Sequence, residues 1–436
     1  MGDRRDAFDD YARYVNPAQA QFLALVGRAW RFERAEGCTL YTEDGLAFDD
    51  WIAGFGSLAL GHNPEVLREV VTRELSSRRP NLYSEVINPA AGSLAKRLVE
   101  SCGFSQGHSH FCNSGSEAVE TLLKAAVAAT GRRVLLYASG GYHGATVGAL
   151  SCMAQGLYRT PFEAMLPRYV EVEFNNVEAL EEAFARYPGD VAGVLLEPVQ
   201  MESGVVHAEH AYLRAVRAQC DRAGALMMLD EVQCGLGRTG TPWAFLQSNV
   251  QPDGVASAKA LGGGLVAIGA AIFRDDVWCR AFGSYDRAEI HASTMGGNGL
   301  ACAVAERVLD HVLDPAFLRE VQRKSARIER GLREAIGDSP LVCAITMHGL
   351  LGGVRFADSD NPWLRWESLG MPAFGGRPTS GPLVVQRLAR CGVLAQVCGH
   401  DWATVRVEPP LVVSDEACDR WVDAMASAVA FLEDAS

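Results

Sequence analysis

The sequence predicts an α/β fold, with a mostly parallel sheet in a large domain and a smaller α+β domain at the C-terminus. Apolar runs typical of strands buried on both faces stand at 133–138, 191–196, 225–229 and 266–273. Amphipathic stretches such as 177–187 and 210–223 lie between them, as in stacked βα units. A chain of 436 residues is also too long for one simple core, so we expect two domains.

Changes in composition divide the chain into three segments. We expect residues 1–62 to be an N-terminal segment that belongs to the small domain, and residues 63–305 to be the large α/β domain. Asn63-Pro64 should open a helix with a capping side chain. Residues 306–436, with a loop-rich stretch, a strand-like run and a final helix, should form the small C-terminal domain.

Composition and charge exclude several classes of protein. The content of 48% hydrophobic and 21% charged residues is that of a globular protein. The net charge of -13 would repel nucleic acid and acidic membrane surfaces, so neither is an expected partner. The twelve cysteines form no CxxC pair, the stretch Met1–Tyr14 lacks the apolar core of a signal peptide, and no run approaches a membrane span. We therefore expect a cytoplasmic protein.

Two residues at predicted strand ends carry the chemistry. Asp230 follows the apolar run 225–229, which puts a carboxylate at the edge of the sheet where open α/β folds bind ligands, although such acids also cap turns. Lys259 stands between small apolar residues and a triple glycine. Such surroundings disfavour the ammonium and favour a nucleophilic amine, whereas a lysine that extends its amine to solvent is the alternative.

Two glycine-rich motifs predict a phosphate site and a stacking site. The segment 113–117 (NSGSE) opens a helix, where backbone N–H groups and the helix dipole favour an anion, and Ser114 has capping-box spacing to Glu117. A plain helix cap is the alternative. Tyr142 and His143 stand in a glycine-flanked turn after the run 133–138, where an aromatic ring can stack on a flat ligand or simply pack in the loop.

The ordered motifs resemble those of the class III aminotransferases, pyridoxal-phosphate (PLP) enzymes of fold type I that include ornithine, acetylornithine and many ω-amine transaminases. The resemblance covers most of the chain. The matching motifs are Glu43-Asp44-Gly45, LGHN (60–63), NSGSEAVE (113–120), YHG (142–144), EPVQMESGV (197–205), LDEVQCGLGRTG (229–240), SAKALGGG (257–264), HASTMGGNGLACA (291–303) and RVEPPL (406–411).

The resemblance implies a role for each motif. Lys259 would hold PLP as a Schiff base and move the substrate proton, and Asp230 would keep the pyridine nitrogen protonated. The other implied cofactor contacts are Ser114, Gly115 and Ser116 at the phosphate, Tyr142 and Val232 on the two ring faces, Gln233 at the phenolic oxygen, His143 and Glu197 nearby, and Thr294 at the phosphate of a neighbouring subunit's cofactor. An obligate homodimer is therefore expected.

The resemblance also implies a substrate pocket. Arg406 would receive the carboxylate of an oxo acid or amino acid, and Glu202 would neutralise Arg406 when a neutral amine is bound. Phe55 and Ala145 stand where relatives that bind an α-carboxylate have Tyr and Arg. We therefore expect transfer of an amino group from an amine or ω-amino donor with an apolar flank to a 2-oxo acid, aldehyde or ketone.

The sequence is also compatible with other functions. Related PLP enzymes racemise, decarboxylate, move amino groups within a molecule or form bonds with the same apparatus. A remote alternative is a nicotinamide-dependent oxidoreductase, because the segment 235–240 matches GxGxxG. Its context does not fit, since Thr241-Pro242-Trp243 follows in place of a helix. His108 and His110 alternate as in a strand and lack a second ligand cluster, so no metal site is expected.

Overall fold

A computed structural model of the chain describes residues 4–435. Residues 1–3 of the predicted N-terminal segment and residue 436 of the predicted C-terminal domain lie outside the described residues. The strands are β1 (Phe32–Glu36), β2 (Thr39–Thr42), β3 (Ala47–Asp50), β4 (Gly107–Cys112), β5 (Val134–Ala138), β6 (Val170–Val172), β7 (Val191–Leu196), β8 (Val199–Gln200), β9 (Val206–His207), β10 (Leu226–Asp230), β11 (Gly254–Ser257), β12 (Gly269–Arg274), β13 (Val342–His348), β14 (Leu351–Phe356), β15 (Val393–Leu394) and β16 (Thr404–Val407).

Helices alternate with the strands through most of the chain. They are α1 (Arg4–Tyr14), α2 (Pro17–Leu25), α3 (Ala53–Gly56), α4 (Glu65–Ser77), α5 (Pro89–Ser101), α6 (Gly115–Thr130), α7 (Val147–Ser151), α8 (Val177–Arg186), α9 (His210–Ala223), α10 (Asp275–Phe282), α11 (Gly299–Val312), α12 (Pro315–Ile336), α13 (Ser380–Arg390) and α14 (Asp415–Ala435). Among residues 4–435, no helix combines the length and the apolar character that a membrane crossing requires.

The central sheet has seven strands in the order β4-β12-β11-β10-β7-β5-β6. Only β12 runs antiparallel to its neighbours; the other adjacent pairs are parallel. Every residue of β7 and β10 is buried, because helices cover both faces of the sheet. The predicted mostly parallel α/β sheet is confirmed.

Two details of the prediction are wrong. The apolar run 266–273 becomes a strand only from Gly269, because the backbone turns at the preceding glycines and the amide of Val266 donates to the carbonyl of Gly262. The helix after Asn63 begins at Glu65, but no side chain caps it. Asn63 instead has a φ of 50°, and its side-chain amide donates to the carbonyl of Ala35 at 2.8 Å.

N-terminal and C-terminal segments meet in a second sheet. Strand β3 lies between β2 and the distant β15, so residues near 50 and 393 are hydrogen-bonded neighbours. The rings of Trp51 and Trp421 stack with their centroids 4.3 Å apart and join the same two segments. The three-part division of the chain stays a prediction, and α11 runs across its boundary at 305/306.

Candidate active site

Asp230 and Lys259 lie side by side at one edge of the central sheet. Asp230 ends β10, and Lys259 follows two residues after the end of β11. These strands are adjacent and parallel, with Asp230 paired to Ala256, so their carboxyl ends meet at the same edge. Sheet topology therefore unites two residues that are separated by nearly thirty positions in the sequence.

The Asp230 carboxylate is buried and held in one orientation. One oxygen, Oδ2, lies 2.8 Å from Nδ1 of His143, and Oδ1 accepts the backbone N–H of Val232 at 3.0 Å. The His143 side chain is fully buried, and its Nε2 has no hydrogen-bond partner among the described residues. A carboxylate fixed in this way is suited to hold a cationic ring nitrogen in the adjacent cavity.

The Lys259 amine is buried beside the same cavity. Its Nζ donates to Oε1 of Gln233 at 2.6 Å. Burial lowers the pKa of Lys259 below its usual value of 10.5, although the carboxylates of Glu408 and Glu202 act in the opposite direction. A larger share of uncharged amine makes Lys259 a better nucleophile than a lysine in solvent.

The start of α6 also lines this cavity. Ser114 caps the helix by accepting the N–H of Glu117 at 3.2 Å, as its spacing predicts. The amides of Gly115 and Ser116 belong to the first turn, where backbone N–H groups lack acceptors within the helix. A helix of 16 residues adds its dipole, so this end favours a dianionic phosphate.

Tyr142, Val232 and Glu197 line the cavity as well. The backbone N–H of Tyr142 donates to Oε2 of Glu197 at 3.1 Å. Burial and the nearby Asp230 raise the pKa of Glu197 well above its usual value. Val232 packs so closely on α6 that a Cβ added to Gly115 would lie 2.8 Å from its Cγ1. Only glycine fits there.

All of these side chains line one cavity of about 590 Å³. Its lining includes every predicted cofactor residue but one: Ser114, Gly115, Ser116, Tyr142, His143, Glu197, Asp230, Val232, Gln233 and Lys259. Three groups thus surround one cavity: a helix N-terminus that can bind a phosphate, a carboxylate that can bind a ring nitrogen, and an amine that can react with an aldehyde. The unpartnered His143 Nε2 adds a buried polar atom at the same wall. The residues present therefore fit PLP.

Arg406 and Glu202 form a buried ion pair in a neighbouring cavity. Nη2 of Arg406 lies 2.8 and 3.0 Å from the two oxygens of Glu202, and the backbone N–H of Gly399 donates to Glu202 at 2.6 Å. Although burial favours the neutral acid, Arg406 and Gly399 lower the pKa of Glu202. Phe55, whose backbone has a φ of 56°, places its ring 5.1 Å from the Arg406 guanidinium.

This second cavity, of about 520 Å³, is mainly aromatic and aliphatic. Besides Phe55, Glu202 and Arg406, its lining includes Phe22, Tyr158, Trp366, Phe374 and Trp402. Helix α2, the loop between β14 and α13, and the segment before β16 each contribute to it. The three predicted substrate residues are thus brought together beside the predicted cofactor cavity.

A comparison with known protein families identifies the family to which this chain belongs. Residues 26–429 match the family model "Aminotransferase class-III". The chain belongs to the class III aminotransferases. This membership confirms the family recognised from the sequence, its fold type I architecture and PLP as its cofactor.

Class III aminotransferases of known structure have the same fold. An aminotransferase from Bacillus anthracis is 24% identical, with a TM-score of 0.86 and 98% of each chain covered. The ornithine aminotransferase from Toxoplasma gondii, solved with partial occupancy of PLP at its active site, is 25% identical, with a TM-score of 0.81 and 100% and 99% of the chains covered. Aminotransferase PigE from Serratia sp. (strain ATCC 39006) is 31% identical over 97% of this chain, which spans 53% of the length of PigE.

Thr294 is the one predicted cofactor residue that lies outside the cofactor cavity. It is exposed in the loop between α10 and α11 and does not line the cavity of its own chain. Its implied contact with the cofactor of a neighbouring subunit stays a prediction. The nicotinamide alternative gains no support, because the segment 235–240 lies in turns and only a short 3-10 helix, Ala244–Ser248, follows.

Sequence reasoning missed three side chains of this class III aminotransferase site. Tyr158 lies 6.0 Å from the Tyr142 ring, and His400 lies 5.6 Å from Tyr158, measured between ring centroids. Glu408 is completely buried between Arg406 and Gln233. A signal for Glu408 existed, since it stands two residues after Arg406 and strand residues at that spacing share a face. Tyr158 and His400 come from loops and gave no such signal.

Proposed function

We propose that this protein transfers an amino group from an amine or ω-amino donor to a 2-oxo acid, aldehyde or ketone. The observation that carries the proposal is the convergence of Asp230, Lys259 and the N-terminus of α6 on one cavity. Membership of the class III aminotransferases supports it. When bound, PLP supplies a carbonyl that reacts with amines and a ring that accepts the electrons of a broken C–H bond.

Lys259 is the proposed proton carrier. Its amine lines the same cavity as Asp230, and burial lowers its pKa, so it can take a proton from a substrate carbon and return it. The Gln233 carbonyl oxygen, 2.6 Å from Nζ, orients the amine toward the space it must reach. Asp230 would hold the ring nitrogen of the cofactor, with His143 and the Val232 amide orienting its two oxygens.

The Glu202–Arg406 ion pair is proposed to let one cavity bind two kinds of substrate. While Glu202 is paired with Arg406, the charge of Arg406 is neutralised and the cavity accepts an uncharged or apolar group. Rotation of Glu202 away frees Nη2 of Arg406 for a carboxylate. The aromatic lining and the absence of an arginine at Ala145 support a donor with an apolar flank rather than one with an α-carboxylate.

A donor and acceptor screen with the purified PLP-loaded enzyme tests this function. Amines with apolar substituents should change the absorbance of the bound cofactor, and a 2-oxo acid or aldehyde should restore it. Formation of the amino product from the acceptor completes the demonstration. A best activity with ornithine or acetylornithine would overturn the donor assignment. Racemisation or decarboxylation without a net change in the cofactor would overturn transamination itself.

A cytoplasmic homodimer is the proposed assembly. Several large apolar side chains are exposed in two loops near Thr294: Leu82, Val86, Ile87, Ile290 and Met295. The amide of Asn88 donates to the carbonyl of Gly297 at 2.6 Å, so these loops adjoin. Grouped exposed apolar residues are typical of interfaces. Light scattering should give twice the chain mass, and Thr294→Ala should weaken PLP retention while the dimer persists.

A further inference from the structure

Glu408 is a completely buried carboxylate between the two cavities. It lies one residue after β16, and its side chain is 0% exposed. Oε2 lies 3.2 Å from Nη1 of Arg406, and Oε1 accepts the side-chain amide of Gln233 at 2.8 Å. A buried carboxylate is costly unless it is paired and hydrogen-bonded, and both conditions are met here.

These contacts fix Glu408 in place. Gln233, which holds one oxygen, is itself bonded through its own oxygen to the Lys259 amine. The turn that carries Phe55 lies close to the same oxygen, since a Cβ added to Gly56 would lie 2.7 Å from Oε1 of Glu408. Gly56 also has a φ of 82°, which favours glycine. Contacts on both of its carboxylate oxygens therefore hold Glu408 beside Arg406.

Arg406 thus has two carboxylate partners of different kinds. Glu202 lies in the turn between β8 and β9 and lines the second cavity, where a substrate can replace it. Glu408 does not line that cavity, and its contacts with Arg406 and Gln233 do not involve Glu202. The guanidinium is also hydrogen-bonded by the carbonyl of Val397 at 3.2 and 3.3 Å. When a substrate displaces Glu202, the Arg406–Glu408 pair that faces the substrate is already electrically neutral.

We propose that Glu408 is a specificity-determining residue that keeps Arg406 neutralised and so weakens binding of carboxylate-bearing co-substrates relative to uncharged ones. The inference rests on the proposed function only in taking the second cavity as the substrate site. It predicts that aldehydes, ketones and simple amines bind at least as well as oxo acids of similar size. Removing the Glu408 charge would leave Arg406 with a net positive charge toward the cavity and strengthen carboxylate binding.

Binding of benzoate and benzamide to the PLP-loaded enzyme tests this role. The two probes have nearly the same shape, differ in charge and undergo no amino transfer, so calorimetry measures binding alone. The wild-type enzyme should bind benzamide at least as tightly as benzoate. Glu408→Gln should shift the ratio toward benzoate by about tenfold, the size expected for one hydrogen-bonded charge. Glu408→Asp keeps the charge and should stay close to wild type.

Three results would overturn the inference. They are a wild-type preference for benzoate, an unchanged ratio in Glu408→Gln, and equal shifts in the Gln and Asp variants, which would indicate packing rather than charge. The first needs no variant, so the test does not depend on the folding of Glu408→Gln. Failure of amine conversion would count against the proposed function and leave the binding ratios measurable, so the two failures are distinguishable.

Discussion

His143 Nδ1 lies 2.8 Å from Asp230 Oδ2, and both side chains are shielded from solvent. The backbone amide of Val232 fixes the other carboxylate oxygen. Asp230 therefore enters the cavity as a fixed charge at the end of β10. A buried charge that is already oriented needs no rearrangement when an opposite charge forms next to it, which is how preorganised sites accelerate reactions.

Asp230→Asn tests the charge of this carboxylate. The substitution keeps the shape of the side chain but removes the anion that faces the ring nitrogen. We expect the rate of amino transfer from a reactive amine to fall by about 10²- to 10³-fold. Stopped-flow absorbance of the cofactor measures it. Asp360→Asn, at an exposed position, is the matched control and should react like wild type.

His143 variants test the positioning of Asp230. His143→Phe removes the donor, and a hydrogen bond to a charged group is worth about 1.5–3 kcal/mol, so the same rate should fall roughly tenfold to hundredfold. His143→Asn retains an N–H donor and should lose less. Equal losses in the two variants would show that ring packing, and not the hydrogen bond, is what matters.

Buried and exposed ion pairs should differ in their contribution to stability. Arg406→Met leaves Glu202 and Glu408 buried without their cation, which should cost about 3–5 kcal/mol of the free energy of unfolding. Arg323→Met removes an arginine on the surface that pairs with Asp415 at 2.7 Å, and the loss should be much smaller. Urea unfolding measures both. Similar losses would contradict the burial argument.

His348 should make stability depend on pH. Burial and the neighbouring His207, whose ring stacks at 4.6 Å, lower the pKa of His348 from 6.5 to about 4. The unfolded chain therefore binds a proton that the folded protein does not, and stability falls as the pH drops from 6.5 toward 4. His348→Phe keeps a stacked ring but cannot take up the proton. Its free energy of unfolding should therefore decrease by roughly 2 kcal/mol less than that of the wild type over this pH range. A pH series of urea unfolding with both proteins gives the difference.

The sequence predicted those parts of the site that single motifs carry. Asp230, Lys259 and the segment 113–117 each follow a short strand or open a helix, and such positions place side chains at the ligand-binding edge of a parallel sheet. The capping role predicted for Asn63 was wrong, because a long-range bond to Ala35 displaced the local one. Tertiary contacts of this kind have no local signature.

The substrate cavity shows why the rest was beyond prediction. Phe22, Trp366, Phe374 and Trp402 meet edge to face or tilted, with ring centroids 5.3 to 5.7 Å apart, although they come from three separate segments. Each alone is an ordinary apolar residue in the sequence. Only the packing of α2 and the loop after β14 against the residues before β16 turns them into one wall.

Reduction with borohydride followed by peptide mass spectrometry tests whether PLP is attached to Lys259. Reduction makes the bond between the cofactor and its lysine permanent. We expect a phosphopyridoxyl group on the peptide that contains Lys259, and none after reduction of Lys259→Ala. An unmodified Lys259 peptide from PLP-loaded enzyme, or modification of a different lysine such as Lys124, would contradict it.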